Sequence, residues 1–420
     1  MRNNYIKKTL KNGVKLYLYI DKNMTQTYVD YMVDYGHNGK FFKFYYQDKL
    51  YEVLPGCAHF LEHMLGEHSK YGNIYKYFTT KKYQRNATTS IDVTHYYFLG
   101  VEDIKDSIEK LINVVDNPVF TKEDVLETKP AIIEETKRGL NNAEAISSNL
   151  SRYNLYKDLD ILDSSLSYIG NEETTKSLDY ETLKLCYDAF YYDENKTLLI
   201  AGNFDEDDMT EYVESVYDGL KPHKKEVRLY EYRLDKKKKE KEIRYMATND
   251  DLVSISFKQC NNGFSKKEIV YFLGYLYGIK YGADKEFTKE LKRDNIITSM
   301  DGCNHLNISD NDFFITIYCT AKNSDEAISK IIEKIKLNDF DEKDFELYFR
   351  VQLAHNILVY DNKYQELMRF VYNKYYTDDF NDIDFIKNIT FTRFMEFYNS
   401  LKFDDYSIGL VRDSKLANNS

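Results

Sequence analysis

The second half of this chain echoes the first, its helix and turn positions at one constant offset, and that echo limits the folds open to it. Tyr96-Tyr97-Phe98-Leu99 reads as a strand, and Ile108, Leu111, Ile112 and Val115 follow at the i, i+3, i+4, i+7 spacing of a helix with one apolar face. About 220 residues later, Phe314-Ile315-Thr316-Ile317 reads as a strand, and Ile328, Ile331, Ile332 and Ile335 repeat the helical spacing. Phe120 and Asp124 return as Phe340 and Asp344 without a gap. One supersecondary unit used twice predicts two similar α+β domains. Val14, Leu16, Leu18 and Ile20 alternate near the start of the first half, as do Val253, Ile255 and Phe257 in the second, so each half opens with strand signals. The expected layering is a mainly antiparallel sheet with helices packed on one face. The run Lys236-Lys237-Lys238-Lys239-Glu240-Lys241 reads as a solvated linker. The predicted divisions are a first domain over 1–225, a charged linker over 226–242 and a homologous second domain over 243–420.

Composition excludes some classes. A net charge of −11 over 420 residues argues against a nucleic-acid partner, which calls for a basic surface. No apolar run approaches the roughly 18 residues that span a bilayer, and the N-terminus lacks the apolar stretch of a secretory signal. The five cysteines are scattered, without a CxxC pair, and read as reduced thiols of a cytoplasmic protein.

The stretch that carries chemistry is Gly56-Cys57-Ala58-His59-Phe60-Leu61-Glu62-His63-Met64-Leu65-Gly66. On a helix, His59, Glu62 and His63 share one face, while Phe60, Leu61, Met64 and Leu65 take the opposite side into the core. Two imidazoles four residues apart reach a single Zn²⁺. The Glu between them lies beside the ion, placed to take a proton from an attacking water. This spacing is the inverted zincin signature. A catalytic zinc needs a third protein ligand, and Glu134-Glu135 is the candidate pair. Thr121 and Asp124 open a helix with a capping box, and Pro130 is expected to break or restart it. Adjacent carboxylates on a helix diverge by about 100°, so only one of the two faces the metal, and spacing does not say which.

These residues resemble the pitrilysin family, inverted zinc peptidases that include insulin-degrading enzyme and mitochondrial processing peptidase. The likeness rests on Gly56 to Met64, Asn86-Ala87-Thr88-Thr89-Ser90, Phe120 to Lys137, and Leu198-Leu199-Ile200-Ala201-Gly202-Asn203. It implies a clamshell of two homologous domains, the second inactive, with Zn²⁺ held by His59, His63 and Glu135 and activated water deprotonated by Glu62. It puts Thr128 where many relatives keep a Glu supporting the zinc ligands. Asn86 and Ala87 match the edge segment to which relatives add the substrate backbone. Lys292 or Arg293 stands where many relatives carry an Arg, without a clear Arg-Tyr pair. Relatives of this length pair as homodimers or with an inactive homologue. The implied function is a zinc endopeptidase for short or unfolded peptides, one form of which is removal of a leader during peptide maturation. The alternative is a non-catalytic peptide-binding or assembly subunit. His68 is expected on a surface loop, Cys57 as a small buried residue, and His95 as a packed strand residue.

Overall fold

The computed structural model describes residues 5–139, 142–155, 170–231, 239–307, 309, 311–373 and 383–414. They form two compact units, one from 5–139 with 170–230 and the other from 142–155 with the described residues beyond 230. The first unit begins with β1 (Tyr5–Thr9), β2 (Lys15–Ile20), β3 (Thr27–Val33), β4 (Lys43–Tyr46) and β5 (Lys49–Glu52). Next come α1 (Cys57–Glu67), α2 (Ile74–Thr80), β6 (Gln84–Thr89), β7 (Thr94–Gly100), α3 (Ile104–Asp116) and α4 (Lys122–Gly139). Helix α5 (Ala143–Tyr153) belongs to the second unit. The first unit then closes with α6 (Glu172–Ser177), α7 (Tyr180–Phe190), β8 (Lys196–Gly202), α8 (Glu206–Asp218) and β9 (Val227–Leu229). The second continues through β10 (Lys241–Met246), β11 (Asp251–Cys260), α9 (Lys266–Tyr281), α10 (Glu286–Arg293), β12 (Ile297–Asn307) and β13 (Asp312–Ala321). It ends with α11 (Ser324–Lys336), α12 (Glu342–Asp361), α13 (Lys363–Asn373), α14 (Ile383–Lys387), α15 (Phe391–Ser400) and β14 (Tyr406–Asp413).

The two main sheets share one topology. Their strand orders are β1-β2-β8-β3-β7-β6 and β10-β14-β11-β13-β12, which correspond strand for strand once β1 is set aside. Each holds one parallel pair, β2 with β8 and β10 with β14, and is otherwise antiparallel. The echoed helix is α3 in one unit and α11 in the other. Ile108, Leu111, Ile112 and Val115 are buried on α3, as are Ile328, Ile331 and Ile335 on α11. Each such side chain contributes about 1.5–3 kcal/mol on leaving water, so the apolar spacing suffices to dock both helices.

Strand alternation explains the second unit's layers. Val253, Ile255 and Phe257 of β11 join Phe313, Ile315 and Ile317 of β13 in a core with Phe272 of α9 and Phe394 of α15. The intervening Ser254, Ser256 and Thr316 point the other way, yet they too are buried, because α5 lies across them. Ser147 Oγ donates to Ser254 Oγ at 2.9 Å, and Ser151 and Ser256 hydroxyls meet at 2.7 Å. The approach is so close that a Cβ at Gly409 of β14 would stand 1.9 Å from the Ser147 carbonyl oxygen.

Several details differ from the sequence reading. Residues 142–155 pack with the second unit although they precede the expected junction, since their small hydroxyl side chains match that sheet's polar face. The span expected as linker contains β9, which pairs antiparallel with β4, while residues 232–238 lie outside the described residues. Helices cover both faces of the second sheet, α5 supplying the additional layer. Pro130 does not end its helix: α4 runs from Lys122 to Gly139 through it. Proline removes the hydrogen bond to the carbonyl four residues back, here that of Leu126, a residue 65% exposed on the solvent side. The helix continues past it to Gly139.

Candidate metal centre

Helix α1 starts at a sharp turn. Gly56 caps it at φ 105°, a left-handed conformation that glycine adopts without strain. Phe60, Leu61, Met64 and Leu65 then enter the first unit's core. Their burial turns His59, Glu62 and His63 along the adjoining stripe, where His59 and Glu62 are themselves buried. Helix α4 is anchored by Val125, Thr128, Ile132 and Thr136, its buried residues. Glu135 lies about 60° from the centre of that stripe and Glu134 nearly opposite it. Accordingly Glu134 points outward to Lys137, 3.1 Å away. Glu135 comes 3.6 Å from His59 Nε2 with one oxygen and 3.4 Å from His63 Nε2 with the other.

These separations suit a zinc ion. Ligand atoms about 2.0–2.1 Å from a tetrahedral zinc stand about 3.3 Å from each other. One donor atom from each of His59, His63 and Glu135 falls within 4.8 Å of the others. Among the described residues this is the cluster of histidine, cysteine and acidic groups able to hold a metal. The tautomer fits as well: His63 Nδ1 lies 2.9 Å from Glu67 Oε1, and donation there leaves the Nε2 lone pair free for an ion. His59 Nδ1 is buried without a hydrogen-bond partner among the described residues, so Nε2 is its usable nitrogen.

Electrostatics separates the carboxylates. Burial raises the Glu62 carboxyl above its ordinary range, against the pull of His59 and of the Thr89 hydroxyl, which donates to Glu62 Oε2 at 2.6 Å. The nearby His59 imidazole holds Glu135 down at about 2, and the hydrogen bond from His63 holds Glu67 below its ordinary value. Burial opposes the charge on His63, but Glu67 and Glu62 outweigh it and raise its pKa. The site therefore offers one proton-accepting carboxyl with elevated basicity beside firmly ionised neighbours.

Two residues escaped the sequence reading. Glu67 sits four positions after His63, a spacing visible in the sequence as an i, i+4 pair. Thr89 reaches Glu62 only because β6 runs beside α1, which spacing along the chain does not show. His68 is not an unattached surface histidine: Nε2 meets Thr128 Oγ1 and Nδ1 meets Asp124 Oδ1, each at 3.0 Å, tying the end of α1 to α4. Cys57 is buried beside the Leu54 carbonyl. His95 packs on β7 against Asp30 at 3.1 Å.

Comparison with known proteins adds the lineage. The profile described as "Insulinase (Peptidase family M16)" matches residues 51–159, and the one described as "Peptidase M16 inactive domain" matches 177–350. The chain belongs to the pitrilysin family. A "zinc protease YmfH" of Bacillus subtilis (strain 168), of uncharacterised role, is 28% identical over 214 residues, 51% of this chain and 49% of that one. The chain thus spans about half the length of the curated relatives it matches. A putative M16-like peptidase structure from Alicyclobacillus acidocaldarius is similar over 99% of this chain and 100% of its own, with TM-score 0.83 and 20% identity. A protease from Helicobacter pylori aligns over 97% and 99% with TM-score 0.75 and 15% identity. At those identities the likeness shows the shared fold.

Within this pitrilysin fold, Asn86 and Ala87 lie on β6, which ends its sheet and pairs with β7 alone among the described strands. Lys292 and Arg293 lie at the end of α10 in the second unit. Lys292 is exposed, and Arg293 pairs with Glu286 at 2.7 Å. Where many pitrilysin relatives keep a supporting Glu, the Thr128 hydroxyl meets His68 Nε2 instead, and the carboxylate behind His63 comes from Glu67 on its own helix.

Proposed function

We propose that this chain is a zinc-dependent endopeptidase, with His59, His63 and Glu135 holding the ion and Glu62 serving as the general base. The observation that carries this reading is the convergence of three donor atoms within 4.8 Å beside a buried, proton-accepting Glu62. Bound there, the ion supplies Lewis acidity toward a water and a scissile carbonyl. Glu62 takes a proton from the attacking water and returns it to the leaving amine, a role favoured by its raised pKa. Thr89 fixes the orientation of that carboxyl. The unpaired edge of β6 supports an extended peptide adding its backbone at Asn86 and Ala87, so short or unfolded polypeptides are the proposed substrates, with leader removal as one such use.

Purified Glu62→Gln protein tests the assignment. It should retain zinc and cleave a mixed peptide library about 10²–10⁴-fold more slowly than wild type, read by mass spectrometry. Retention of wild-type turnover would overturn the role of Glu62, and wild-type turnover in metal-free protein would overturn the metal assignment.

A second reading, a non-catalytic peptide-binding subunit, is favoured by the missing Arg-Tyr pair near Lys292 and Arg293. Pairing with a second copy or an inactive homologue is proposed under either reading. It is supported by the exposed Leu347, Val351 and Leu358 along α12, and sedimentation of a Leu347→Asp variant tests it. No described helix is long and apolar enough to cross a membrane. The five unpaired thiols support the reducing cytoplasm as the working compartment.

A further inference from the structure

The second unit contains a buried cation without a counter-ion. Arg152, near the end of α5, is 7% exposed. Its Nε donates to Thr316 Oγ1 at 3.1 Å, and its Nη2 donates to Asn304 Oδ1 at 2.6 Å and to the Tyr318 hydroxyl. Tyr318 in turn donates to Asn304 Oδ1 at 2.6 Å. Every one of these partners is neutral, and no carboxylate among the described residues forms an ion pair with Arg152. A guanidinium stays charged under all ordinary conditions, and burying a charge is costly unless it is paired. The C-terminal turn of α5 offers at most about half a compensating charge.

Arg152 also lines an open cavity of about 360 Å³, within the range of ligand-sized pockets. Its Nη1 has no hydrogen-bond partner among the described residues, so one donor of the fork remains available. Ser148 and Tyr318 add hydroxyls to the wall, and Leu252 and Val253 add apolar surface. Glu144 and Asp301 line the same cavity. Their charges disfavour a phosphate or polyanion, whereas their oxygens can accept peptide N–H groups.

We infer that this cavity binds a single carboxylate of a peptide, its oxygens on the Arg152 guanidinium and its neighbouring amides toward Glu144 and Asp301. The site lies wholly in the second unit, and its occupation is read by binding and not by turnover. A C-terminal carboxylate and an Asp or Glu side chain present the same group, so the experiment separates them.

Full-length Glu62→Gln protein, used to limit turnover, is titrated calorimetrically with three probes: N-acetyl-tetra-alanine as free acid, the same peptide as C-terminal amide, and the amide with one alanine replaced by glutamate. Each titration is run with and without a chelator, to separate carboxylate capture by metal. The free acid, the glutamate-bearing amide, or both should bind at least about tenfold more tightly than the plain amide, and whichever does identifies the source. Arg152→Gln should abolish that preference, and Arg152→Lys should retain part of it, since a point charge lacks the fork. Thermal unfolding of both variants reports folding. Equal binding of all three probes to the Glu62→Gln protein overturns the inference without needing a variant. So does an unchanged preference in a folded Arg152→Gln protein.

Discussion

Removal of the Glu67 carboxylate tests whether α1 braces its own proposed zinc ligand. In Glu67→Ala, His63 loses the partner 2.9 Å from its Nδ1 that fixes both ring orientation and tautomer. Loss of such an outer carboxylate lowers metal affinity by about 10–100-fold, or about 1.4–2.7 kcal/mol. The Glu67 side chain is 34% exposed, so water can partly replace it, and the lower end, about tenfold, is expected. Glu67→Gln keeps an acceptor oxygen at the same reach and should lose only about threefold, its amide being a weaker acceptor than a carboxylate. Zinc affinity is measured by competition with a chromogenic chelator at about pH 8.5, well above the ordinary histidine range, to limit proton competition at His63. Glu134→Ala serves as control: its side chain turns away to Lys137, and its affinity should match wild type. If Glu67→Ala binds zinc as tightly as wild type, His63 does not depend on Glu67, and the argument from its tautomer fails.

Removal of metal with a chelator should stop peptide cleavage and lower the melting temperature, and added zinc should restore both. At a thousandfold excess over Kd, bound metal stabilises by about 4 kcal/mol; full activity after complete removal would contradict the site. Gly66→Ala would put a Cβ 2.1 Å from the Tyr75 hydroxyl oxygen, and the forced shift should cost about 1–3 kcal/mol in thermal unfolding. Glu268 accepts from Ser265 N at 2.8 Å and Arg393 Nε at 2.9 Å; burial opposes its charge, but these bonds prevail and lower its pKa. Its folded pKa lies below the unfolded value of about 4.3, so its stabilisation is present above that pH and is lost as pH falls through the folded pKa. Glu268→Gln should therefore cost about 1 kcal/mol at pH 7, and denaturant titrations should show the gap closing with acidification below about pH 4.

What could be read from the chain follows from which forces are local. Helices α3 and α11 were legible because their buried stripes carry Ile, Leu and Val at helical spacing. The face of α1 was legible because three ligand-type residues stand against four apolar ones. On α4 the inward stripe contains Thr128 and Thr136, hydroxyl residues that do not announce burial, so the choice between Glu134 and Glu135 needed family likeness or a structure. The membership of α5 was harder still. Ser147, Ser148 and Ser151 look like a solvated helix, and Ser254, Ser256 and Thr316 look like a solvated strand face. Each set is buried only against the other, across about 100 residues of chain or more, and no local pattern reports such a pairing.

The placement of α5 has a consequence for synthesis. Its last residue is Tyr153, whereas β14, which it touches at Gly409, is finished only near the end of the chain. About 250 residues separate them, so at about 5–20 residues per second α5 waits roughly 10–50 s for its sheet. The first unit's last strand, β9, is complete at Leu229, so that unit can assemble on the ribosome while α5 still lacks its sheet. Each newly made copy therefore carries α5 for that interval before the sheet it packs on is complete.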